Sequence, residues 1–328
     1  MIHKFHIPVL GLGYSVDTPL KVARYGISSV VSVVDDELIE RMREYHSKKN
    51  GEPYHAITKT EPDFRERRIT SYLNLVEELV NAQFERLKNE PFEPGSDICR
   101  YFDLLPESSP LKQGYDLMLE YPDENVRRVF QDRLRKELKK GQIDVNIMSK
   151  VDKTNYTANH QSTGEENTDA LTALRGFAHS NLNSSVILSA GMNPRLYSYI
   201  ESFADFLPDE SGSTRKKIIL KVSDFRSGLI QAKFLAKKGL WVSEFRIESG
   251  LNCGGHAFAS DGYLLGPVLE EFKNKRETLH LELFEMYKAA LLTKGVTISN
   301  IPRQRISVQG GIGTADENNF LLTHLPGS

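Results

Sequence analysis

The chain has 328 residues, of which 39% are hydrophobic and 26% charged, and a formal net charge of -2. That length accommodates one large domain or two ordinary ones, and the composition is that of a soluble globular protein. The near balance of charge gives no reason to expect nucleic acid or an anionic membrane surface as partner.

The two cysteines, Cys99 and Cys253, are too few and too far apart for a disulfide framework or a metal quartet. No apolar run has the length of a membrane span, and the N-terminus lacks the apolar core of a signal peptide. A cytoplasmic location is expected.

Ile7 to Gly13 reads as a short apolar strand interrupted by glycines. Asp17 or Thr18 then offers an N-cap, Pro19 suits the first helical turn, and Gly26 is the stop. Ser28 to Val34 is β-branched and short, a buried strand. Strand, short helix and strand in about thirty residues make a βαβ unit with parallel strands.

From Asp35 to Lys140 apolar residues recur at helical spacing between dense charges. This stretch reads as a helical insertion. Its basic clusters, Arg65 to Arg68 and Lys136 to Lys140, read as solvated helix faces.

The β/α alternation then resumes. Strands are expected at Gln142 to Met148, Ser185 to Gly191, Lys217 to Ser223, Trp241 to Glu248 and Arg305 to Gly310. Helices are expected from an Asp169 cap, from Pro194, around Leu229 to Ala236, from Pro267 to Lys294 with a break, and from Asp316. Most of these strands end in small or polar residues, which suits the mouth of a barrel more than the single crevice of an open sheet.

The stretch from Ser243 to Ala257 breaks at Gly250 and sets Gly254-Gly255 directly before His256. A glycine pair lets a flat ligand approach the backbone, and a histidine beside it titrates near neutral pH. Gln309 to Thr314 carries Gly310, Gly311 and Gly313 from a strand into a helix, a combination that suits a phosphate. Gly11-Leu12-Gly13 is a place for backbone to abut a planar ring. Asn146 ends its strand, and Lys221 sits in an otherwise apolar one, where it must reach the barrel mouth or an anion. Arg246 and Glu248 stand where they can pair with each other, and Cys253 has no activating partner other than His256.

These motifs resemble, in chain order, the nitronate monooxygenase (2-nitropropane dioxygenase) family of FMN-dependent TIM barrels. Val145-Asn-Ile-Met148, Ser189-Ala-Gly191, Lys221-Val-Ser223, Gly254-Gly-His256 and Gln309-Gly-Gly-Ile312 carry the likeness. The resemblance implies a (β/α)8-type barrel with a helical insertion after its second strand. Its segments would be 1–34, 35–141 and 142–328. The chain stops where an eighth strand is expected, so the barrel is expected to lack its last strand.

The resemblance further implies FMN held by Gly11, Leu12, Gly13, Asn146, Lys221, Gly254, Gly255, Gly310, Gly311, Gly313 and Thr314. His256 would be the catalytic base acting on a small-molecule substrate. NAD(P)H, a quinone or oxygen would be the redox partner, and the helical insertion offers a surface for oligomerisation. The alternatives are a flavin-free phosphate-binding barrel, an isomerase or lyase, and a non-catalytic barrel whose insertion binds partners.

Overall fold

The computed structural model describes residues 2–8, 15–147, 149, 152–156, 159–209, 211–248, 264–310 and 312–325, and the backbone of 252–253 and 256–257. Its strands are β1 (His6–Ile7), β2 (Ser28–Ser32), β3 (Ile143–Asn146), β4 (Ser185–Leu188), β5 (Lys217–Val222), β6 (Val242–Ile247), β7 (Asn252–Cys253), β8 (His256–Ala257) and β9 (Arg305–Val308). Strands β7 and β8 pair antiparallel with each other. The other seven form one sheet in the order β1-β2-β3-β4-β5-β6-β9. The pairings β1–β2, β4–β5, β5–β6 and β6–β9 are parallel.

Sheet neighbours therefore follow chain order without a reversal. A doubly wound sheet reverses at its switch point, whereas a βα-barrel does not. The α/β expectation is met at this level, with seven strands in barrel order.

The chain packs as two compact units, Met1–Val145 with Ser180–Leu182, and Asn146–His179 with Asn183–Ser328. In the first, α1 (Thr18–Val22) starts at the expected place and a 3-10 turn, Ala23–Tyr25, carries the chain to Gly26 at φ 77°. Only a residue without a Cβ adopts that conformation cheaply. Between β2 and β3 the chain is helical: α2 (Asp36–Asn50), α3 (Phe64–Asn89), α4 (Asp97–Asp103), α5 (Pro110–Glu120) and α6 (Glu124–Glu137).

Asp35 caps α2 by accepting from the Glu37 and Leu38 N–H groups, and Gly51 at φ 75° ends it. Ile69, Tyr72, Leu73, Val76, Val80, Phe84 and Leu87 bury one stripe of α3 at spacings of three and four. A second core joins Phe84 and Leu87 to α4 and α5, with Phe102 stacked on Tyr115 at 4.8 Å. Arg68 corrects the reading of its cluster as solvated. It is buried, donates to Asp36 Oδ2 at 2.8 Å and to the Ile57 carbonyl, and its charge is thereby compensated.

In the second unit the helices are α7 (Asp169–Ala178), α8 (Pro194–Ile200), α9 (Phe225–Ala236), α10 (Leu265–Thr293) and α11 (Ala315–His324). Thr168, not Asp169, caps α7, because its hydroxyl accepts from the Leu171 N–H. Helix α10 runs unbroken where a break was expected. Its glycine and proline, Gly266 and Pro267, both lie in the first turn, where a missing donor costs nothing. Phe245 of β6 packs against Phe272 of α10 at 5.6 Å, and a Cβ at Gly228 of α9 would lie 3.2 Å from both Phe272 and Val222. One sheet face is thus covered by helices and bears Phe245, Ile247, Leu220 and Val222. Burying each such side chain contributes about 1.5–3 kcal/mol.

Candidate active site on the polar face of the sheet

Alternation along a strand sends the intervening residues to the opposite face. In β5 these include Lys221, and in β6 they are Glu244 and Arg246, with Glu248 continuing the series just past the strand end. The register sets Lys221 beside Arg246, Glu244 beside Arg305, and Arg246 beside Ser307. A row of charges therefore crosses three neighbouring strands. A barrel interior filled for stability carries branched aliphatic side chains instead.

The charges form defined pairs. Glu244 Oε1 accepts from Arg246 Nε at 2.9 Å and Ser307 Oγ at 2.6 Å, with Arg246 Nη2 at 2.8 Å. Its Oε2 lies 3.5 Å from Arg305 Nη1. Lys221 Nζ lies 3.7 Å from Glu248 Oε2. The sequence allowed Arg246 and Glu248 to pair with each other; Arg246 meets Glu244 on its own strand, and Glu248 faces Lys221 on the neighbouring one. Glu244, Arg246 and Glu248 are all buried, and Lys221 is the more accessible member with 14% of its side chain exposed.

The carboxyl ends of the strands add polar groups. Asn146 is half-buried at the end of β3. The Ser189 N–H donates to Ser149 Oγ at 2.8 Å, and Asn193, the α8 cap, donates to the Ser149 carbonyl at 3.1 Å. After β9, Gly310 adopts φ 81° and opens the turn into α11. There two of the expected phosphate donors are already engaged. Glu317 accepts from the Gly313 N–H at 2.7 Å and the Thr314 N–H at 3.0 Å, while Thr314 Oγ1 accepts from the Glu317 N–H. Those N–H groups stabilise the carboxylate and lower the Glu317 pKa.

This capping box bears on whether FMN fits. As arranged, the Gly313 and Thr314 amides hold a carboxylate where a phosphate is expected. Glu317 is exposed, so its side chain can turn out to solvent and leave the same two amides to a phosphate. The turn fits the group on that condition.

His256 lies in β8, with Cys253 of β7 as its Cα partner across the ladder. Gly11, Leu12, Gly13, Gly254, Gly255 and Gly311 lie outside the described residues. Asn146, Lys221, Gly310, Gly313 and Thr314 all belong to the second unit and follow or end parallel strands. Among the described residues no group of three or more His, Cys, Asp or Glu side chains could hold a metal ion, and no helix is long and apolar enough to cross a membrane.

Two constellations escaped the sequence. Glu244 was visible as the first of three charges alternating with Phe245 and Ile247, but its role as the hub needed Arg305 and Ser307, some sixty residues on. In the first unit, His6 of β1 meets Asp144 of β3 at 3.1 Å, both largely buried. No local pattern marks a pair separated by 138 positions. Comparison with protein-family models, with curated proteins and with solved structures gives no match to this chain.

Proposed function

We propose that the chain is an FMN-dependent oxidoreductase of the nitronate monooxygenase-like class, built on a (β/α)8-type barrel. The observation that carries the reading is the sheet itself: parallel strands in chain order whose carboxyl ends carry polar groups and one of whose faces carries a row of charged side chains. Folds of this kind keep their chemistry at that end of the strands.

Bound flavin would supply the electron transfer. The chain's own residues would do the rest. Asn146 would present its amide to the ring, and the Gly310–Thr314 turn would receive the phosphate once Glu317 turns outward. His256 would take a proton from a carbon beside an electron-withdrawing group, or return one to a reduced product. The small-molecule substrate and its redox partner, NAD(P)H, a quinone or oxygen, would meet the flavin at the same mouth.

The test is a visible spectrum of the full chain after incubation with FMN and removal of free flavin by gel filtration. Retained flavin absorbance supports the reading. A colourless protein under conditions where the fold is intact overturns it.

A further inference from the structure

The N-terminal segment is held to the first unit by few contacts. Strand β1 pairs with β2 through two residues, His6 beside Ser28 and Ile7 beside Ser29, and has no other described neighbour in the sheet. Ile2 and Ile7 pack on the core cluster that contains Tyr25, Ile98, Cys99 and Phe102. Between them Lys4 and Phe5 are exposed, while the His3 ring turns inward and is 2% exposed.

The two nitrogens of His3 are unequally served. Nε2 lies 2.9 Å from the Tyr25 carbonyl, and a carbonyl only accepts, so Nε2 carries the hydrogen of the neutral ring. Nδ1 is then the bare nitrogen, and it is buried with no partner among the described residues. A second proton would go to Nδ1, where no described acceptor receives the new N–H and no solvent reaches the charge. The charged and titratable groups of the neighbouring elements are committed elsewhere. Asp97 of α4 accepts from the Tyr25 hydroxyl at 2.6 Å and from Arg24 Nε at 3.1 Å. Asp144 of β3 faces His6 at 3.1 Å, the Tyr101 hydroxyl donates to the Lys139 carbonyl at 3.0 Å, and the Cys99 thiol faces Tyr115. Lys4, next along the chain, adds a like charge. Burial holds the His3 pKa below 6.5, and the Tyr25 carbonyl offsets this only in part.

We propose that His3 is a pH-sensitive latch: the N-terminal segment stays docked while the ring is neutral and undocks locally as the ring takes a second proton in mildly acidic solution. Undocked, the ring titrates near 6.5; docked, it resists the proton. Docking is therefore at full strength above that pH and weakens as pH falls below it. His6 works in the opposite sense, because a proton there faces the Asp144 carboxylate. Release leaves the outer edge of β2 without its partner and uncovers the aromatic core beneath Ile2 and Ile7. The latch stands independently of the flavin reading.

The experiment follows backbone hydrogen exchange of residues 3–7 by mass spectrometry between about pH 7.5 and 5.5, with α3 as reference and rates corrected for intrinsic exchange at each pH. It compares the unaltered full chain with His3→Gln, whose amide still donates to the Tyr25 carbonyl but does not titrate. The ratio of segment opening in the unaltered chain to that in His3→Gln should rise by up to about tenfold as pH falls, the limit for one proton, while α3 exchanges alike in both. His6 is common to both chains and cancels in the ratio. A ratio that does not change with pH overturns the proposal, and so does an equal rise in α3, which would mark global unfolding. Should His3→Gln already be undocked at the upper pH, an NMR titration of the His3 ring in the unaltered chain decides. A midpoint well below 6.5 supports the latch, and one at or above 6.5 overturns it.

Discussion

Replacing Glu244 by alanine is the sharpest perturbation of the charged sheet face. The side chain is 7% exposed and satisfies Arg246 twice, Ser307 once and Arg305 across 3.5 Å. Its removal strands a guanidinium that is itself 6% exposed. Breaking a buried ion pair in this way costs about 3–5 kcal/mol. Glu244→Gln keeps an acceptor for Ser307 and for one guanidinium N–H while deleting the charge, and should cost about 1.5–3 kcal/mol. Trp241 is the only tryptophan in the chain and is buried against Tyr287 at the foot of β6, so its fluorescence reports on this unit. With a urea dependence of about 2–3 kcal/mol per molar, the alanine variant should lower the fluorescence midpoint by about 1–2.5 M. Adding Arg246→Met should restore part of the loss, because no charge is then left unpaired. A midpoint for Glu244→Ala within about 0.3 M of the unaltered chain would refute the placement of Glu244 as the anchor of this network.

Gly141→Ala would set a Cβ 2.0 Å from the Ile27 carbonyl oxygen, which belongs to backbone and cannot rotate away. It should destabilise the first unit by about 3 kcal/mol, the upper end for overpacking, read by urea unfolding monitored by circular dichroism. Asp17 is held at a pKa of about 2 by the His46 ring 3.5 Å away and by the Lys21 ammonium at 2.8 Å. That lies below its unfolded value of 3.8, so its contribution is complete above that pH and is lost as pH falls towards 2. Asp17→Asn should therefore flatten the fall in stability across this window and leave its shape near neutrality unchanged. On the flavin reading, His256→Ala should retain bound FMN yet lower turnover by about 10²–10⁴-fold; unchanged turnover removes His256 from the chemistry.

Much of the fold was legible because its signals are local. Ser28 to Ser32 and Lys217 to Val222 are short β-branched or aliphatic runs. Pro19, Pro194 and Gly26 mark helix ends through their own backbone preferences. Strand order could be inferred because βα units leave few ways to connect parallel strands.

What stayed hidden depends on partners distant in sequence or on chemistry that a residue type does not reveal. Arg68 sits in a run of charges that any pattern reading assigns to solvent, yet Asp36 and the Ile57 carbonyl draw it inside. Lys221 stands out in the sequence because a cation in an apolar strand needs an anion or solvent, and Glu248 supplies the anion. That Glu317 closes the α11 turn was also open to view. Thr314 followed three residues later by a glutamate is the signature of a capping box, which competes with a phosphate for the same amides. Strands β7 and β8 are two residues each, below the length at which alternation can be recognised.

The most direct measurement is an equilibrium titration of FMN into the full chain and into its Glu317→Ala variant, followed by quenching of flavin fluorescence. Saturable binding of one flavin by both chains is expected, several-fold tighter in the variant, because the Gly313 and Thr314 amides no longer hold a competing carboxylate. Absence of saturable quenching in both chains, with each shown to be folded, would contradict it.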